Sequence, residues 1–136
     1  MLSAIAEAHA AGIVHRDLKP ANIFLAARPD GTVCAKVLDF GISKLPNPSL
    51  VGATTNMMGT PSFMAPEQLG SSRDVDARAD VWSMGVVLYQ LLTGSYPFHA
   101  GTLVELAMQI LELAPTPPSH RDPALPPAID EVVAQC

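Results

Sequence analysis

A mainly α fold with one small β-hairpin is what the sequence predicts, and three observations carry it. Apolar residues recur at helical spacing near the start of the chain and again through its second half. Between these regions, two short apolar runs flank Pro29-Asp30-Gly31, which is strong turn chemistry. Hydrophobic residues make up 49% of the 136 positions, enough to demand one buried core in a single domain.

Leu2, Ile5, Ala6 and Ala10 share a helical face and Gly12 can form a left-handed cap, which predicts a helix over residues 1 to about 11. No residue supplies an N-cap, so Met1 is expected to fall inside a longer element. Ile23-Phe24-Leu25-Ala26 and Val33 to Leu38 are the two expected strands. From Gly41 to Ala65-Pro66-Glu67 the chain is rich in Ser, Thr, Pro, Asn and Gly without a period, and it reads as a long mobile loop of the kind that usually serves function. Asp76 can cap a helix from about Ala77 to Thr93, closed by Gly94, whose apolar character nearly all round predicts burial on most sides. Thr102 and Glu105 have capping-box spacing and open a helix to about Leu113. Pro115, Pro117 and Pro118 forbid its continuation, so a helix-to-helix loop is expected there. Pro127 suits a first helical turn, and Ile129, Val132, Val133 and Cys136 fall on one face of a last helix.

Composition narrows the function classes. With 8 Lys plus Arg against 13 Asp plus Glu, the net charge of -5 argues against nucleic acid as a partner. Cys34 and Cys136 lie far apart and form no C-x-x-C pair, so neither a disulfide framework nor a zinc site is expected, and a reducing cytoplasm fits. The longest apolar run, Val81 to Leu92, is interrupted by Ser83 and Gln90 and falls short of the roughly 20 residues of a membrane span. Met1 to Gly12 has no basic start and carries Glu7 and His9, so it does not read as a signal peptide.

The chemistry concentrates in His15-Arg16-Asp17-Leu18-Lys19-Pro20-Ala21-Asn22, a carboxylate, two cations and an amide directly after an apolar stretch. Phosphoryl transfer to a hydroxyl needs such a set: a carboxylate to orient the hydroxyl and accept its proton, cations for the developing charge, and oxygen ligands for magnesium. Further along stand Asp39-Phe40-Gly41, Gly59-Thr60-Pro61, Ala65-Pro66-Glu67 and Asp80-Val81-Trp82-Ser83. Each tripeptide alone is a weak signal. Together, in this order and spacing, they make the chain resemble the catalytic domain of Ser/Thr protein kinases, of the bacterial eukaryotic-like type. His15 by itself reads as a packed core histidine, and the resemblance implies the same structural role; His9, His99 and His120 read as surface residues.

The resemblance implies a role for each matched position. Asp17 is the catalytic base, Lys19 reaches the transferring phosphate, and Asn22 and Asp39 ligate Mg2+. Lys19, Asn22, Phe24 and Asp39 contact ATP, with Phe24 as the floor under the adenine. Thr60 hydrogen-bonds Asp17 and Lys19 beside a protein Ser/Thr hydroxyl, Asp80 braces the backbone of the loop, and His15 stacks with Phe40. Arg16 before the catalytic Asp implies a switch by a phosphate on Thr54 or Thr55, whose added charge an Arg fork can clamp.

In fold, the resemblance implies a kinase C-lobe with its small hairpin beside the catalytic loop, the complete kinase domain being α+β. No Gly-rich loop, Val-Ala-Ile-Lys strand or glutamate-bearing helix precedes the catalytic loop, and the arginine expected opposite Glu67 would lie beyond Cys136. Residues 1–136 are therefore expected to be a partial kinase domain, inactive alone and dependent on upper-lobe sequence or another kinase. The alternative is a non-catalytic half-kinase that serves as a protein-binding module.

Overall fold

The computed structural model describes residues 2–40, 60–70 and 75–136, with Leu2, Thr60 and Gly70 described in the backbone alone. Helix α1 spans Leu2–Ala10 and stops at Gly12, whose φ of 73° lies in the left-handed region that glycine enters without a Cβ clash. The Gly12 N–H bonds the His9 carbonyl at 2.9 Å and the Ile13 N–H bonds that of Ala8 at 2.8 Å, the paired bonds that close a helix end. Of the described members of the predicted apolar face, Ile5 is buried while Ala6 and Ala10 are exposed.

The predicted hairpin forms. Strands β1 (Ile23–Ala27) and β2 (Val33–Val37) pair antiparallel, with Ile23 opposite Val37 and Ala27 opposite Val33. Asp30 shapes the turn by accepting from both the backbone N–H (2.9 Å) and the hydroxyl (2.7 Å) of Thr32. Just past β2, the Leu38 N–H bonds the Asn22 carbonyl at 2.8 Å, which ties the base of the hairpin to the preceding loop. The loop expected from Gly41 onward, with Thr54, Thr55, Met57 and Met58, lies outside the described residues as far as position 59.

Where the sequence showed no period, Thr60–Phe63 forms a 3-10 turn and Pro66–Gly70 forms a short helix, α2. A helix this short carries too few apolar positions to reveal its spacing. Helix α3, Arg78–Thr93, starts one residue later than predicted, yet Asp76 still caps it: its Oδ1 accepts the Arg78 N–H at 2.8 Å. Ala79, Asp80, Ser83, Gly85, Val86, Val87 and Tyr89 are buried along it, whereas Leu91 is 75% exposed, so the last turn emerges from the core before Gly94 ends it.

Helix α4, Leu103–Glu112, opens on the predicted box: Thr102 Oγ1 accepts the Glu105 N–H at 3.2 Å. The Glu105 carboxylate reaches one residue further back than the standard pattern, to the Gly101 N–H at 3.1 Å. Leu106 and Ile110 point into the core; Val104, Met108 and Leu111 face outward. The proline-rich connection is not a plain loop. It contains a single helical turn, α5 (Pro118–Arg121), for which Pro118 supplies the fixed φ of a first position. Helix α6, Ala128–Ala134, follows Pro127 as predicted, with Ile129, Val133 and Cys136 half-buried and Val132 exposed. Asp130 accepts the backbone N–H of Ser119 at 2.9 Å and its hydroxyl, which joins α6 to α5.

Trp82 joins the core. Phe63 with Val86 and Val87, Ala65 with Val75 and Ala79, and Phe98 with Leu106 and Ile110 form separate buried clusters, and Trp82 packs against all of them. The indole thereby connects α3 to the segment before α2 and to α4, and its ring stacks parallel to that of Phe98. The hydroxyl of fully buried Tyr89 donates to the Thr116 carbonyl at 2.9 Å and fixes the proline-rich connection against α3.

Candidate functional site

The loop from His15 to Asn22 emerges from α1 and enters β1, and it is gripped from behind by α3. Asp80, fully buried, receives the His15 N–H on Oδ2 and the Arg16 N–H on Oδ1, both at 2.8 Å. Two backbone amides thus converge on one carboxylate that cannot reach water, a charge-assisted arrangement worth more than two neutral hydrogen bonds. A third contact comes from His9, whose Nε2 lies 2.7 Å from Asp80 Oδ2. His9 was expected at the surface, but its side chain is only 19% exposed because it turns inward to the carboxylate.

This grip holds an uncommon backbone. Arg16 has φ 65°, which for a residue with a Cβ costs about 1–2 kcal/mol. Its carbonyl is held as well, by Gln68 Nε2 at 2.9 Å, and its guanidinium donates to the Val75 carbonyl at 3.2 Å. His15 is buried; its Nδ1 accepts the Asp17 N–H at 3.3 Å and its Nε2 donates to the Leu38 carbonyl at 3.0 Å, contacts that together select the Nε2–H tautomer. Phe40 packs on its ring, with centroids 4.8 Å apart.

At the front of the loop, Lys19 Nζ lies 3.0 Å from Asp17 Oδ2 and 3.2 Å from Oδ1. Pro20–Asn22 makes one 3-10 turn, which brings Asn22 back under Asp17. Asn22 Nδ2 donates to the Asp17 carbonyl at 2.8 Å and to its Oδ2 at 3.3 Å. The amide's donor end is thereby committed to Asp17, while its Oδ1 receives no hydrogen bond among the described residues. Three of the residues singled out from the sequence, Asp17, Lys19 and Asn22, therefore form one hydrogen-bonded group.

The remaining candidates are placed less completely. Phe24 stands on β1 and is 56% exposed, and Asp39 is exposed just after β2 with φ 53°. Thr60 opens the 3-10 turn before α2, and its side chain, with the contacts expected to Asp17 and Lys19, lies outside the described residues, as do Gly41, Thr54 and Thr55.

Against known families, the model described as the protein kinase domain matches residues 1–136. The chain belongs to the protein kinase family. Among its relatives, serine/threonine-protein kinase Pkn1 of Myxococcus xanthus is 47% identical over 96% of this chain, which corresponds to 19% of that protein. Serine/threonine-protein kinase pkn3 of the same organism is 41% identical over 98% of the chain and 25% of its own length. Serine/threonine-protein kinase PknB of Mycobacterium leprae is 42% identical over 92% of the chain and 20% of its own length. This kinase chain thus spans about a fifth to a quarter of the curated relatives it matches.

Kinases of this class use ATP with magnesium, and the donor set suits that ion. Among the described residues no group of three His, Cys, Asp or Glu side chains is placed to hold a metal. An amide oxygen and a carboxylate, Asn22 and Asp39, fit a hard cation that takes most of its oxygens from water and phosphate. Among the described residues no helix is long and apolar enough to cross a membrane.

Sequence reasoning missed two contacts of this site, those of His9 and Gln68. Each reaches a partner more than fifty positions away, and neither residue belongs to a motif that carries chemistry.

Proposed function

We propose that this chain is the lower half of a Ser/Thr protein kinase active site, which transfers the γ-phosphate of ATP to a Ser or Thr hydroxyl of a protein substrate. The observation that carries the reading is the Asp17–Lys19–Asn22 group: a carboxylate with an ammonium 3.0 Å away and an amide holding it from below. Asp17 accepts the proton of the attacking hydroxyl and orients its oxygen. Lys19, released toward the phosphate, offsets the charge that grows on the transferring group, and Thr60 closes the site beside the substrate hydroxyl. Asn22 Oδ1 and Asp39 hold the magnesium ion, which neutralises the phosphate oxygens when bound. Phe24, already presenting its ring outward, lies beneath the adenine.

The grip on the nucleotide from above comes from sequence outside these residues: a Gly-rich loop and a lysine paired with a glutamate. The chain by itself therefore turns over no ATP and works as part of a C-lobe. A phosphate on Thr54 or Thr55 is clamped by the Arg16 guanidinium, which exchanges its bond to the Val75 carbonyl for the phosphate oxygens.

Radiolabelled phosphate transfer to a generic basic protein tests the assignment. The full-length protein should be active and its Asp17→Asn variant inactive, while the 136-residue chain alone shows no transfer. Wild-type activity in Asp17→Asn refutes the role of the base; binding of a kinase or substrate without turnover by the full-length protein supports the half-kinase module instead.

A further inference from the structure

Gln68 makes two contacts with two different ends of its amide. On α2 its Oε1 accepts the Ala65 N–H at 2.9 Å, as a glutamine or glutamate three residues past a helix cap commonly does. Its Nε2 donates to the Arg16 carbonyl at 2.9 Å, 52 positions away. Chemistry fixes which amide atom is which, since a peptide N–H only donates and a peptide carbonyl only accepts.

The second contact lands on the peptide group that leads into Asp17. The Arg16 carbonyl and the Asp17 N–H belong to one rigid plane. Gln68 holds that plane at its oxygen, and His15 Nδ1 holds it at its nitrogen, 3.3 Å away. On the other side of Arg16, Asp80 holds the preceding amide. A residue at φ 65° keeps that conformation only while its surroundings fix it, and any turn of the plane swings the direction in which Asp17 leaves the backbone.

We propose that Gln68 is a positioning residue of the kinase reaction: by holding the Arg16 carbonyl it sets the plane from which Asp17 projects, and so couples α2 to the base. The inference rests on the role of Asp17 given above. Helix capping accounts for the Oε1 contact alone, and the two contacts are separable. Glutamate caps as well as glutamine does, but an ionised carboxylate cannot donate to a carbonyl.

The experiment compares Gln68→Glu, Gln68→Met and Asp17→Asn with wild type in the full-length protein, with thermal unfolding recorded for each. Gln68→Glu should melt within about 5 °C of the wild type and be fully folded at the assay temperature, yet lose roughly ten-fold in kcat at pH 8, with KM for ATP changed less than about two-fold. As the pH is lowered toward 5, its activity relative to wild type should rise about two-fold, because the fraction of the carboxyl that is protonated again donates with one oxygen and accepts with the other. Gln68→Met lacks both functions, so its relative activity should stay low and flat with pH. Wild-type kcat in Gln68→Glu, a relative activity that does not change with pH, or a loss explained by early unfolding overturns the positioning role. If Asp17→Asn keeps wild-type transfer, the reading of the base has failed; if it is inactive while Gln68→Glu equals wild type, only the role of Gln68 has failed.

Discussion

Replacing Asp80 by alanine takes the acceptor from three donors at once. The His15 N–H is buried and loses its partner, a desolvation penalty of about 1–3 kcal/mol. The Arg16 N–H is part-buried and falls at the lower end of that range, about 1 kcal/mol. His9 keeps 19% of its side chain in solvent and can turn to water, so its loss is at most about 1 kcal/mol. Release of Arg16 from φ 65° returns part of the strain, about 1 kcal/mol. The net expectation is about 3 kcal/mol, a large share of the roughly 5–15 kcal/mol that stabilises a domain. At about 4 °C per kcal/mol for a chain of this size, the melting temperature should fall by about 12 °C. Asp80→Asn retains one acceptor oxygen and should lose about half as much. Far-UV circular dichroism melts should rank wild type, Asp80→Asn and Asp80→Ala in that order. A change under about 1 kcal/mol for Asp80→Ala would refute the reasoning, because it would mean that the two amides find other partners.

Helix α4 offers a contrast within one element: Leu106→Ala should cost about 2–5 kcal/mol by opening a cavity, whereas Val104→Ala on the exposed face should stay within about 0.5 kcal/mol in urea denaturation. Gly94→Ala meets no atom within 4 Å, so its cost is the backbone alone at φ 68°, about 1 kcal/mol by the same measurement. The hydroxyl and backbone N–H of Ser119 hold the Asp130 carboxyl below its ordinary value of 3.8. A depressed carboxyl adds stability above the unfolded-state value and loses it as the pH falls through the folded one. The gap in melting temperature between wild type and Ser119→Ala should therefore be present at neutral pH and shrink as the pH drops below 3.8.

The sequence made legible whatever depends on local pattern. The hairpin, α1, α3, α4 and α6 each announce themselves by spacing, caps or turn residues, and Asp76, Gly94 and Thr102 sit at or beside the predicted ends. Helices α2 and α5 did not, because five and four residues are too few for a period to show. At the site, Asp17, Lys19 and Asn22 lie within one short loop, so their meeting follows from the turn between them. His9 was misread because a histidine beside a helix end gives no sign of its partner; what decides its burial is Asp80, 71 positions on. Gln68 was missed because its glutamine pattern is that of any helix start, and its second bond crosses from α2 to a loop far back in sequence.

Asp80 takes hold of main-chain amides and not of the side chains at 15 and 16. An anchor of that kind does not read the side chains; it excludes proline, which has no N–H, and at position 16 the φ of 65° further disfavours β-branched residues. Position 16 can change from Arg to a smaller or uncharged residue without losing its backbone bond to Asp80, so the control proposed for its side chain can be gained, lost or retuned over evolution while the backbone leading into Asp17 stays fixed. On the proposed reading, regulation and catalysis share one dipeptide, and the carboxylate behind it lets them vary independently.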